Sequence, residues 1–150
     1  ARHHKHSAII ISESIPQTFT PDELEAVLAH EVACIKRLDT IAMSVSSALM
    51  SGPFFLLFPI TALIRRFIVT PKTYFAIDSL AAKLTNSPKN LAQALWKLQS
   101  YASTQNLNVP ISTAHLFIVN PLTKAYYARY FQAQPPVEKR IQKLIGYFPI

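Results

Sequence analysis

Apolar residues come in blocks of different period along this chain, and the blocks predict its elements. Residues 7–12, SAIIIS, are short, β-branched and apolar, which predicts a strand. Residues 13–19 then form a loop into a helix over residues 20–39, TPDELEAVLAHEVACIKRLD. Thr20 is placed to cap that helix, Pro21 suits its first position, and Glu23 sits where a capping box wants an acid. Phe19 is placed to staple onto Leu24. At about 100° per residue, Leu24, Val27, Leu28 and Ile35 form one stripe, with Glu31 in its middle and His30 and Cys34 side by side at its edge. Further helices are expected over 73–85 and over 87–103, the second with a stripe of Leu91, Leu95, Leu98 and Ala102. Trp96 and Tyr101 are expected to pack as well. A polar loop with Pro110 covers 104–113, and the basic, aromatic run 123–132 has helical spacing.

Residues 41–64, IAMSVSSALMSGPFFLLFPITALI, carry no charge over 24 positions. The length fits one transmembrane span, but two spans need about 40 apolar residues. Gly52, Pro53 and Pro59 interrupt the run and let it bend. The reading adopted is a buried or membrane-dipping hairpin within a single domain over 1–150; one true span is the alternative.

Composition sharpens this picture. The chain has 50% apolar and 15% charged residues, more apolar than an ordinary soluble domain. Eleven prolines and two glycines suit helices punctuated by proline. A single cysteine, Cys34, excludes an internal disulfide. The net charge is +7, and six of the eight acids occur by Asp39. Beyond residue 40, eleven Lys and Arg face only Asp78 and Glu138, which suits an anionic membrane surface. No nucleic-acid motif accompanies the charge, so nucleic acid is not expected as a partner. No signal peptide is visible, and the start at Ala1 suggests a fragment or a processed chain.

Glu31 raises the chemical question. A carboxylate on a core-facing stripe is costly to bury unless it is paired, protonated or near a metal. The plain alternative is a glutamate with a local partner at a partly open helix face. The His-rich tract RHHKH at residues 2–6 suits a solvated tail better than a metal site.

The phrase DELEAVLAHE, followed by a short basic run and an aspartate, resembles the active-site helix of the HtpX and CAAX-prenyl-protease type of zinc metalloendopeptidase. That helix carries His-Glu-x-x-His, whose histidines bind zinc from one face while the glutamate polarises the attacking water. The resemblance implies that His30 is the first ligand and Glu31 the catalytic base. Cys34 stands where the second histidine belongs. TYFAIDSLAAKLT, residues 73–85, resembles the family's second active-site helix, with its Glu-x-x-Ala-Asp. Asp78 matches the aspartate that holds a zinc-binding histidine from behind. Tyr74 stands at the third ligand position, a glutamate in the family. A phenol, protonated at neutral pH, is a poor zinc ligand. Residues 113–122, TAHLFIVNPL, and 135–145, PPVEKRIQKLI, resemble the closing phrases of the family. There Gln134 replaces a histidine, and Arg140 matches an arginine that reaches back toward the site, or else lies on a solvated helix face. His115 reads as structural. The likeness runs from about residue 5 to residue 145.

The resemblance implies an α+β, mostly helical fold, a minimal zincin-like metalloprotease domain with its helices packed on a small β-sheet. The favoured reading is a pseudopeptidase that keeps this fold and binds a peptide or protein without cleaving it. An active membrane-associated enzyme would use zinc on His30, Cys34 and either Asp78 or Tyr74, with Glu31 as base. A third reading is a membrane-associated structural or interaction domain with a filled cleft. The cofactor is zinc if the chain is active and none otherwise, and the domain is expected on the cytoplasmic side of a membrane. Nothing in the sequence fixes an oligomeric state.

Overall fold

The computed structural model describes residues 2–3, 6–9, 11, 15–37, 44, 48, 70–104, 116–121 and 134–147. The uncharged run 41–64 (save Ser44 and Ala48), the loop over 105–113, His115 and the basic aromatic run 123–132 lie outside the described residues. Among the described residues, no helix is long and apolar enough to cross a membrane.

Two strands, β1 (Arg2–His3) and β2 (His6–Ser7), are followed by α1 (Ile15–Thr18), α2 (Pro21–Lys36), α3 (Pro71–Thr85), α4 (Pro88–Thr104) and α5 (Val137–Ile145). The start of α2 follows from local chemistry. Thr20 is extended, its side chain accepts from the Glu23 N–H at 3.3 Å, and Glu23 Oε2 accepts from the Thr20 N–H at 2.9 Å. Phe19 is buried beside Val27, and Leu24 packs against that pair. Lys97 of α4 reaches the same Glu23 carboxylate at 2.6 Å, which ties the cap to a second helix. This ion pair holds the Glu23 pKa low against burial that alone would raise it.

Helix α3 begins at Pro71 and ends at Asn86, whose left-handed φ of 53° turns the chain sharply into α4. Gly146, with φ of 82°, ends α5 in the same way and donates its N–H to the Gln142 carbonyl at 2.8 Å. The core lies where α2, α3, α4 and α5 meet. Ala33, Ile77, Ala94 and Leu95 are fully buried there, with Tyr74, Leu91 and Ile141 beside them. The expected stripe of α4 lies inward at Leu91, Leu95 and Ala102, with Leu98 partly buried. Trp96 and Tyr101, expected to pack, are 47% and 50% exposed because they fall off that face.

Two expectations are overturned. Among the described residues, the helices are not packed on a sheet. The described strand content is the two-residue antiparallel pairing of Arg2 with Ser7 and His3 with His6, and the extensive contacts are helix on helix. Among the described residues of the strand expected over 7–12, only Ser7 is in a strand, while Ile9 and Ile11 stand exposed outside regular structure. β-Propensity here encodes fitness for a sheet surface that the helical core does not provide.

The second correction concerns the inward face of α2. Ala26, Val27, Ala29, His30, Ala33 and Cys34 are buried, so Val27 of the expected stripe lies inward, whereas Leu24, Leu28 and Ile35 are only partly buried. This face is turned by roughly a third of a turn from the stripe of large residues. Alanines at 26, 29 and 33 let neighbouring backbones approach closely, so the helix packs through its smallest side chains. The turn moves His30 to the centre of the buried face and Glu31 to its edge.

Candidate functional site

The buried face of α2 brings His30 against residues from α3 and α5. Asp78 projects from the middle of α3 and Arg140 from the first turn of α5, at 2% and 0% exposure. Arg140 Nε donates to Asp78 Oδ2 at 2.8 Å and Nη2 to Oδ1 at 2.6 Å, a two-pronged ion pair. The remaining prong, Nη1, donates to the Ile118 carbonyl. His30 Nε2 lies 3.2 Å from Arg140 Nη2 and 3.4 Å from Asp78 Oδ1. Its other nitrogen, Nδ1, faces Cys34 Sγ at 3.8 Å and Glu31 Oε1 at 3.6 Å. The Glu31 side chain is 37% exposed and borders solvent.

Tyr74 lies one turn before Asp78 on α3 and is 2% exposed. The Arg140 guanidinium carbon stands 5.8 Å from its ring centroid. Cys34 and Tyr74 belong to the same buried cluster. The site thus gathers His30, Glu31, Cys34, Tyr74, Asp78 and Arg140 from three helices.

Gln134 is buried at 6% exposure, and its Nε2 donates to the carbonyls of Phe117 and Ile118. Together with Arg140, it ties the segment 116–121 to the start of α5. Its Oε1 is buried with no hydrogen-bond partner among the described residues. The clamp on residue 118 was not legible in the sequence, because its acceptors are backbone carbonyls and carry no side-chain signature. The only hint was that Gln134 occupies a family histidine position.

Electrostatics follow from these contacts. Burial alone would raise the Asp78 pKa, but the hydrogen bonds from Arg140, and then from His30, bring it below its ordinary value. Burial alone would lower the pKa of His30. Asp78, then Cys34 and Glu31, outweigh it and push the value up to about 10.

A depressed carboxylate pKa stabilises the fold fully above the unfolded value, about 3.9, and this contribution is lost as pH falls through the folded value. Stability is therefore expected to fall on acidification below about pH 4. Asp78→Asn should be weaker at pH 7 and should show a shallower acid slope. Urea unfolding between pH 7 and 3 measures both, and equal slopes would contradict the ion pair.

Family members of the resembled type hold zinc, and the donor set here differs from what that ion needs. Zinc takes three protein ligands and one open position. His30 Nδ1 and Cys34 Sγ make a plausible adjacent pair of donors. Both Asp78 oxygens are occupied by Arg140, and residue 74 offers a buried phenol. Among the described residues, no group of three or more His, Cys, Asp and Glu side chains is arranged to hold a metal. The residues present do not fit the three-ligand zinc centre.

A family model described as Peptidase family M48 matches residues 2–76. Similar curated proteins are named Protease HtpX homolog. That of Syntrophobacter fumaroxidans is 31% identical, over 95% of this chain and 63% of its own length. That of Desulfatibacillum aliphaticivorans is 30% identical, over 99% of this chain and 58% of its own. A third, from Methanocaldococcus jannaschii, is 31% identical over 96% and 62%. The chain thus spans about three-fifths of the length of these relatives. No solved structure matches.

Proposed function

The chain belongs to peptidase family M48, of the HtpX-like type, and from that premise we propose that it is a pseudopeptidase, keeping the family's helical site without a catalytic zinc centre. The family is generally zinc-dependent. One observation carries the proposal: the Asp78 carboxylate, the nearest substitute for the missing third ligand, is held on both oxygens by Arg140. Freeing it would break a buried ion pair and strand a fully buried guanidinium. Glu31 remains half-exposed at the edge of the site, able to face solvent but with no complete metal centre beside it.

The proposed role is binding of a peptide or protein segment. Ile9 and Ile11, exposed at 36% and 40%, offer apolar side chains that such a segment could cover. Membrane association belongs to the same proposal, on the strength of the uncharged run 41–64 and the basic second half of the chain.

A second reading has one observation in its favour. The 3.8 Å between His30 Nδ1 and Cys34 Sγ is close to the separation of about 3.5 Å expected for an N and an S ligand on one tetrahedral zinc. That reading is an active enzyme with an altered ligand set.

Zinc stoichiometry on protein purified without chelator, compared with Cys34→Ala, separates the two. The pseudopeptidase reading expects no stoichiometric zinc in either, and peptide affinity unchanged by chelator. Close to one zinc per chain, lost in the variant, would replace it with the altered enzyme.

A further inference from the structure

A cavity of about 360 Å³ opens between α3, the start of α4, and α5. Its lining includes Asp78 and Arg140 but not His30, Glu31 or Cys34, so it is separate from the cleft face of the site. Lys83 from the last turn of α3 and Lys143 from α5 stand in its wall. Among the described residues, neither has an acidic partner. Lys143 instead lies over the Phe75 ring, 4.7 Å from Nζ to the centroid, which holds it across the gap between the helices.

The charges of this wall do not cancel. Asp78 is the one carboxylate among its described lining residues and is neutralised by Arg140 through two hydrogen bonds. Lys83 and Lys143 therefore leave the wall with two net positive charges. The C-terminus of α3 and the N-terminus of α4 meet beside it, so their helix dipoles oppose each other, and the potential comes from the lysines. Ser79 and Asn86 add a hydroxyl and an amide, both able to donate to an anion. The rest of the lining is apolar: Phe75, Ala82, Pro88 and Leu144.

We propose that this cavity binds a phosphate monoester, its phosphate set between Lys83 and Lys143 and its organic group against Phe75 and Leu144. A phosphate monoester carries a charge of about −1.5 to −2 at neutral pH, which matches two unpaired lysines. A carboxylate would satisfy only one of them. The apolar lining and the volume take an organic carrier as well as the anion. That carrier is either a soluble metabolite or a lipid whose headgroup is a phosphate monoester. Both present the same chemistry to the lysines.

The test uses the whole chain and four probes: glycerol phosphate by calorimetry, and sedimentation with vesicles of phosphatidylcholine alone, with phosphatidic acid, or with phosphatidylglycerol. Phosphatidic acid offers the monoester, and phosphatidylglycerol a diester of lower charge. Lys83→Ala/Lys143→Ala is compared with Lys36→Ala/Lys72→Ala, which removes the same charge from exposed positions outside the cavity. The expected result is saturable glycerol phosphate binding, weakened about thirtyfold in the cavity variant and little changed in the control. Preference for phosphatidic acid over phosphatidylglycerol, lost in the same variant, would assign the lipid source. Glycerol phosphate binding without that preference would assign the soluble one. No saturable binding to any probe would overturn the proposal, as would equal losses in the two variants, which signal general charge attraction.

Discussion

Replacing Arg140 by methionine is expected to destabilise the chain by about 3–5 kcal/mol. A domain of this size has only about 5–15 kcal/mol in total, so the variant should be largely unfolded or far weaker in urea. Methionine keeps most of the side-chain length and removes every donor. It leaves the buried Asp78 carboxylate without its cation and the Ile118 carbonyl without its Nη1 donor. Arg140→Lys should recover little, because an ammonium does not reproduce the two-pronged geometry across Asp78. The discriminating measurement is the double variant Arg140→Met/Asp78→Leu. Removing both charges together should restore most of the loss, since an apolar replacement of a whole buried pair is often neutral. A loss below about 1 kcal/mol for Arg140→Met would place that side chain among weak surface pairs and contradict its burial.

The second large effect concerns metal binding. Cys34→His together with Tyr74→Glu rebuilds the family's His-Glu-x-x-His and its third ligand on the existing helices. Uptake is expected to rise from no stoichiometric zinc to about one per chain, the one-metal, three-ligand arrangement of such sites. Tyr74→Glu alone should be destabilising, because it puts a carboxylate at a position 2% exposed and one turn from the Asp78 carboxylate. In the double variant, zinc should offset that cost. Free metal at a hundredfold excess over its Kd stabilises by about 2.7 kcal/mol, and thermal melts with and without zinc would show it. If the double variant folds and takes up no zinc, residue 74 does not belong to the cleft in the sense the family likeness implies. Restored zinc without hydrolysis would point to Glu31 or to the peptide path rather than the ligands.

Both experiments bear on one physical point. In a metallopeptidase, the charge of the ion helps hold the ligands and the acids behind them in place. Here the centre is held by organic charges, with Arg140 satisfying Asp78 and approaching His30 Nε2 at 3.2 Å. On the proposed pseudopeptidase reading, such a centre would keep the helices in register without metal, so loss of ligands need not mean loss of fold.

The sequence by itself determined the four longer helices and much of the family likeness, while the short α1 (Ile15–Thr18) lies where a loop was expected. Thr20, Pro21 and Glu23 start α2 through contacts three residues apart, and the leucine stripe of α4 records its inward face in its spacing. These interactions are local or periodic, so a linear reading captures them. Only the tertiary structure decided which face of α2 turns inward. Large side chains marked one stripe, but close approach through Ala26, Ala29 and Ala33 selected another and put His30 at the centre. The short β-branched run 7–12 carried a strand's composition, yet a strand needs partners from elsewhere in the chain, and among the run's described residues only Ser7 pairs, with Arg2. The choice between a solvated and a buried Arg140 likewise depended on Asp78, 62 positions away. Local chemistry writes capping and periodicity into the chain, whereas burial of a charge depends on where distant helices place its counter-charge.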